Sequence, residues 1–122
     1  MTFTTPPALQ TAVAFGLRLP DSYFFGLRNA LQARGDFVVD GLEALGFKCD
    51  AVDATYFVGV DTTPFDQQGD DVALSRRLTL EAGVTAASIS AFYSEGHVKN
   101  RIRFCFAKRN ETLVEAFTRL GR

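Results

Sequence analysis

The sequence predicts a mixed α/β fold of the two-layer α+β kind, in which helices cover one face of a small sheet. Two adjoining stretches near the C-terminus support this prediction. Residues 101–107 alternate apolar side chains with polar or small ones, which is the period of a β-strand. Residues 110–120 place apolar side chains at the spacing of an amphipathic helix. Packing of the helix stripe on the apolar face of the strand would give both elements a common core.

Residues 1–45 predict two helices. The prolines at positions 6 and 7 open the first helix, over residues 8–17, because proline is tolerated in a first helical turn. This helix is apolar around much of its circumference, so it needs cover on several sides. The second helix is predicted over residues 22–45, where apolar residues recur near the helical repeat, and Gly46 ends it.

Residues 46–122 predict a small sheet and two more helices. Residues 47–52 and 55–60 predict the first two strands, the second of them rich in β-branched and aromatic side chains. A helix then runs to residue 82, and either Asp70 or Asp71 can cap it.

The remaining elements complete the sheet and the helical layer. A short strand is predicted over residues 84–87, a loop over 88–99, and a strand around Arg103. Asn110 is the expected N-cap of the closing helix and Gly121 its expected stop. The predicted order is α–α–β–β–α–β–β–α, in a single domain over residues 1–122.

Composition and charge exclude several classes of partner. The net charge is −1 without a long run of one sign, so nucleic acid is not expected as a partner. The chain has neither the run of about 20 apolar residues that a membrane span needs nor the pattern of a signal peptide. Cys49 and Cys105 are too few for a disulfide framework and predict buried thiols in a reducing compartment. A cytoplasmic protein without a membrane partner is expected.

Candidates for catalysis and metal binding are weak. The single histidine, His97, has no nucleophile pattern near it and is interpreted as a loop residue. Metal-ligand spacings and a glycine-rich phosphate loop are missing from the sequence, and no lysine has a setting that favours a Schiff base. Capping and the helix dipole account for Asp70 and Asp71. No catalytic residue and no metal ligand is therefore assigned.

Arg103 is the one side chain that raises a functional question. It lies in mid-strand on the face opposite the predicted helical layer, where a guanidinium needs either water or an anionic partner. A planar, permanently charged fork on a rigid strand suits bidentate binding of a carboxylate. The alternative is an arginine on a solvated sheet face that pairs with Asp61 or Glu111.

Two segments of the sequence are distinctive: residues 83–93 (GVTAASISAFY), and residues 102–108 (IRFCFAK) with the following Glu-Thr-Leu. They resemble, respectively, a loop and the C-terminal signature of the fold-type I, pyridoxal-phosphate-dependent aminotransferases. Residues 41–47 (GLEALGF) and 55–58 (TYFV) match two further segments. The resemblance covers nearly the whole chain and lies within the methionine and kynurenine/glutamine branch of class I.

The resemblance implies the small C-terminal domain of such an enzyme, with residues 1–45 as interdomain helices and 46–122 as the small-domain sheet and helices. It implies that Arg103 binds the substrate α-carboxylate and that Phe3 lines the substrate pocket of the other subunit of a homodimer. The family's large domain, with its Schiff-base lysine and pyridoxal phosphate site, has no counterpart in this sequence. Ser88 and Ala54 depart from the family's proline and glycine.

Two functions are therefore weighed. The first is a fragment of an aminotransferase that transfers amino groups between an amino acid and a 2-oxo acid, inactive alone and active with pyridoxal phosphate when complete. The second is a stand-alone α+β module that binds amino acids or regulates, with the same arginine and no cofactor.

Overall fold

The computed structural model describes residues 5–66, 69–94, 96 and 98–122. Phe3 and His97 lie outside the described residues. The elements follow the predicted order: α1 (Pro7–Gly16), α2 (Asp21–Ala44), β1 (Lys48–Cys49), β2 (Phe57–Asp61), α3 (Asp71–Arg77), β3 (Ala87–Ser88), β4 (Arg101–Cys105) and α4 (Asn110–Leu120). The chain forms two compact units, Met1–Ala30 and Leu31–Arg122.

The first unit contains α1 and the beginning of α2. Pro6 precedes α1 and Pro7 occupies its first turn, as the sequence predicts. None of the residues of α1 is buried, although the helix is largely apolar. Phe15 and the neighbouring Leu17 are 71% and 72% exposed. This unit therefore presents a broad apolar surface.

The second unit is built on a four-stranded antiparallel sheet in the order β1-β2-β4-β3. In the register of this sheet, Arg103 of β4 lies between Gly59 of β2 and Ala87 of β3. A residue at this position has a neighbouring strand on both sides, so its backbone is held more firmly than at an edge.

Alternation along β2 and β4 separates two faces of the sheet. Both strands bury every second residue. The buried residues meet side chains from α2, α3 and α4, which confirms the helical layer on one face. The core consists of Val38, Leu42, Phe47, Val58, Val60, Leu74, Val84, Ala86, Ile102, Phe104, Phe106 and Leu113.

Several predicted boundaries require correction. Strand β3 lies at Ala87–Ser88 and not at 84–87, because the Val84 N–H bonds to the Leu78 carbonyl and completes the preceding helical turn. The predicted helix to residue 82 is α-helical only through Arg77, and Leu78–Ala82 forms a π-helical turn. Gly83 ends this turn in the left-handed region, with φ 66°.

Asn110 is not the N-cap of α4. The N–H groups of Thr112 and Leu113 both bond to the Arg109 carbonyl, so the helix begins one residue earlier than predicted and Asn110 is already helical. At α3 the prediction is confirmed for Asp70, whose carboxylate accepts a hydrogen bond from the Ala73 N–H at 2.8 Å. None of the described helices combines the length and apolar content of a membrane span.

Candidate functional site

The candidate site lies on the sheet face opposite the helices and is centred on Arg103. The residues that precede and follow it in β4, Ile102 and Phe104, are 0% and 7% exposed and pack in the core. These two apolar anchors fix the backbone, so the Arg103 side chain leaves the sheet on its outer face, as the sequence predicts.

Two aromatic rings lie against the Arg103 guanidinium. Its central carbon, Cζ, is 4.3 Å from the ring centroid of Phe57 and 4.3 Å from that of Phe92. Phe57 belongs to β2 and Phe92 to the turn that follows β3, and these strands flank β4 on opposite sides. Each contact of this kind contributes about 0.5–2 kcal/mol. The two rings therefore restrict the plane of the guanidinium.

Within the described residues, the Arg103 guanidinium has no ion pair, and its buried Nε has no hydrogen-bond partner. The alternative pairings predicted from the sequence do not form. Asp61 instead accepts hydrogen bonds from the hydroxyl and the N–H of Thr63, which lower the pKa of the Asp61 carboxyl. An unpaired, partly desolvated cation is a suitable binding group for an anion.

The other arginine on this face is already neutralised. Arg101 donates a hydrogen bond from Nη1 to the carboxylate of Asp50. The Asp50 carboxylate occupies the space that a side chain on Gly59 would need. This glycine thus lets Asp50 reach across β2 to Arg101, and Asp50 is engaged there.

A buried carboxylate holds the turn that contains Phe92. Asp71, 2% exposed, accepts hydrogen bonds from the N–H of Ser90 at 2.8 Å and from its hydroxyl. Ser90 begins the 3₁₀ turn Ser90–Phe92. Sequence reasoning assigned Asp71 only to capping and left Phe57 and Phe92 without a role. The available signal was the adjacent pair Asp70 and Asp71. Only one of the two is needed to cap α3, and Asp70 does so, which leaves Asp71 free for another contact.

The described residues contain no cluster of candidate metal ligands and no buried lysine. No group of their His, Cys, Asp and Glu side chains is arranged to hold a metal ion. Lys48, Lys99 and Lys108 are all exposed. Because a Schiff-base lysine needs a desolvated or cation-flanked amine, these lysines do not fit pyridoxal phosphate.

The two cysteines, Cys49 and Cys105, are free thiols, and both are half-buried rather than fully buried as the sequence predicts. Burial, followed by the nearby carboxylates of Glu43 and Asp50, raises the pKa of the Cys49 thiol to about 11. A thiol in this state is a poor nucleophile at neutral pH.

Comparison with known proteins gives one consistent family. The family model described as "Aminotransferase class I and II" matches residues 1–120. A kynurenine–oxoglutarate transaminase from Dictyostelium discoideum is 33% identical, with 97% of this chain and 32% of the relative covered.

Two solved structures resemble the chain closely. An N-succinyldiaminopimelate aminotransferase from Mycobacterium tuberculosis superposes with a TM-score of 0.82 at 37% identity, over 92% of this chain and 29% of that one. An Escherichia coli protein with a methionine aminotransferase function gives 0.81 at 32% identity, with the same coverage of both chains. The chain therefore spans about a third of the length of the relatives it matches.

Proposed function

Because this chain belongs to the class I and II aminotransferase family, we propose that it supplies the carboxylate-binding arginine of an aminotransferase that is complete only with a further domain. Arg103 is that arginine. The complete enzyme transfers an amino group between an amino acid and a 2-oxo acid. The chain by itself does not catalyse this transfer.

One observation supports the role of Arg103 above all. The permanently charged Arg103 side chain contacts two rings, has no ion pair among the described residues, and has no hydrogen-bond partner at its buried Nε. Its free N–H groups lie in the guanidinium plane, where they can donate two parallel hydrogen bonds to a carboxylate. A hydrogen bond that involves charged groups stabilises a complex by about 1.5–3 kcal/mol. Binding of this kind also orients the substrate relative to the reacting centre.

Pyridoxal phosphate belongs to the same proposal because the family implies it. In the complete enzyme this cofactor would stabilise the carbanion of the reaction. The exposed lysines of this chain do not fit it, so no chemical step is assigned to them. The part of this chain in the reaction is to bind and orient the substrate through Arg103.

The partners of this chain follow from the same family membership. We propose a large domain that holds the cofactor, residues 1–45 as interdomain helices, and a cytoplasmic homodimer in which Phe3 contributes to the pocket of the other subunit. The exposed apolar side chains of α1 support a covering partner for this helix. The kynurenine–oxoglutarate transaminase and the methionine aminotransferase among the relatives support amino acids as substrates, with methionine and kynurenine as first candidates.

The test is an amino-transfer assay on the complete enzyme. Purified protein with pyridoxal phosphate is incubated with a panel of amino acids and a 2-oxo acid, and the new amino acid is measured. Transfer that requires both the cofactor and the 2-oxo acid supports the proposal. Binding of amino acids without any transfer would contradict the proposal and would favour the stand-alone amino-acid-binding module. None of the comparisons supports that alternative.

A further inference from the structure

We infer that Ser90 and Asp71 are positioning residues that hold the Phe92 ring against the Arg103 guanidinium and so fix the plane in which a carboxylate is bound. The inference rests on the proposed function, since the ligand is the substrate carboxylate. It gives Asp71, Ser90 and Phe92 a role in the site that the sequence alone did not assign to them.

The position of Phe92 is not determined by core packing. Its side chain is 62% exposed, and yet its ring centroid lies 4.3 Å from Cζ of Arg103. An exposed ring keeps such a position only if the backbone beneath it is fixed. The backbone at issue is the 3₁₀ turn Ser90–Phe92.

Asp71 fixes this turn from the helical side. Its carboxylate accepts hydrogen bonds from both the backbone N–H and the hydroxyl of Ser90, 19 residues away. A carboxylate that is 2% exposed must have its hydrogen bonds satisfied, so the contact is costly to break. The N–H of Asp71 also bonds to the Lys99 carbonyl at 3.2 Å.

The sheet fixes the same turn from the other side. The N–H of Ile89 donates to the carbonyl of Arg101 in β4 at 2.9 Å. The turn is thus attached to α3 through Ser90 and to β4 through Ile89. Phe92 covers the guanidinium from the β3 side, and Phe57 covers it from the β2 side.

This arrangement leaves only the edge of the guanidinium for a ligand. With rings on both sides, a planar carboxylate meets the in-plane N–H groups in a bidentate geometry. If the Phe92 ring moves away, the long arginine side chain gains rotational freedom and loses part of this preorganisation. The affinity for carboxylate ligands should therefore decrease more than the affinity for uncharged ligands.

The experiment compares two inhibitors of the complete enzyme, 3-phenylpropionate and the uncharged 3-phenylpropanamide. The ratio of their inhibition constants measures the preference for a carboxylate. Ser90→Ala should reduce this preference roughly fivefold, as expected for loss of one buried hydrogen bond. The matched control, Ser94→Ala, removes an exposed hydroxyl from the same loop and should leave the preference unchanged.

A second pair of variants tests the ring directly. Phe92→Leu should also reduce the preference for a carboxylate. Phe92→Tyr keeps an aromatic ring at this position and should retain the preference of the unmodified enzyme. Equal weakening of both inhibitors by Ser90→Ala and Phe92→Leu would indicate general damage and would overturn the positioning role. An unchanged preference in both variants would overturn it as well.

Failure of the underlying proposal gives a different result. If the unmodified enzyme shows no preference for the acid, or if Arg103→Ala leaves the preference intact, Arg103 is not the carboxylate-binding residue. If Arg103→Ala abolishes the preference while Ser90→Ala and Phe92→Leu do not, only the positioning role is wrong.

Discussion

The carboxylate of Asp50, just after β1, accepts a hydrogen bond from the guanidinium of Arg101 on β4, across the intervening strand β2. Arg101 and Arg103 lie two residues apart on the same face of β4. Of these two arginines, only Arg101 has an ion pair with a described residue. Asp50 therefore neutralises Arg101 and leaves Arg103 unpaired. Arg101 is for this reason a matched control for substitutions of Arg103.

The Asp50–Arg101 ion pair itself should contribute little to stability. The two side chains are 39% and 41% exposed, so water and salt screen their attraction. We expect Asp50→Asn to lower the free energy of unfolding by about 0.2–1 kcal/mol. Urea unfolding at low and at high salt measures this loss, which should shrink as salt increases. A loss that does not depend on salt would argue for a role of Asp50 other than charge pairing.

Two glycines of α2 should respond in opposite directions to alanine. A Cβ on Gly41 would lie 2.5 Å from the Phe117 ring, whereas one on Gly35 would meet the Phe106 ring at 3.4 Å. Gly41→Ala should destabilise by about 1–3 kcal/mol through overpacking. Gly35→Ala should stabilise by about 0.5–1 kcal/mol, because alanine favours the helix. The midpoint of thermal unfolding should decrease for Gly41→Ala and increase for Gly35→Ala. Shifts of both midpoints in the same direction would contradict this account of the helix packing.

The Cys49 thiol should resist alkylation in the folded protein. Its pKa is raised from 9.0 to about 11, mainly by burial, so at pH 8 roughly 100-fold less thiolate is present than in the unfolded chain. Iodoacetamide labelling followed by mass spectrometry, with and without urea, measures both rates. Equal rates at Cys49 in the two states would contradict the raised pKa.

The same shift has a consequence for stability at high pH. Because folding raises this pKa, the folded state favours the protonated thiol. The contribution of Cys49 to stability is thus fully present below pH 9.0 and is lost as the pH rises through about 11. Cys49→Ala should remove this part of the pH dependence, and an unchanged alkaline unfolding curve would show that other groups cause it.

Local patterns in the sequence predicted the element order and the outward direction of Arg103. Both follow from alternation in β4 and from the apolar stripe of α4, which short segments encode. The environment of Arg103 could not be predicted in this way. The Asp71–Ser90 contact joins residues 19 positions apart, and the Asp50–Arg101 pair joins residues 51 positions apart. Contacts of this kind depend on the strand order, which no local pattern specifies.

The most direct test of the central claim compares Arg103→Ala with Arg101→Ala in the complete enzyme. Steady-state kinetics with an amino-acid substrate should show kcat/KM reduced roughly 10- to 100-fold by Arg103→Ala, chiefly through a higher KM, as loss of charge-assisted hydrogen bonds requires. Arg101→Ala, which removes a partly exposed ion pair, should change kcat/KM by less than about threefold. Equal effects of the two substitutions, or unchanged kinetics for Arg103→Ala, would contradict the assignment of Arg103 as the carboxylate-binding residue.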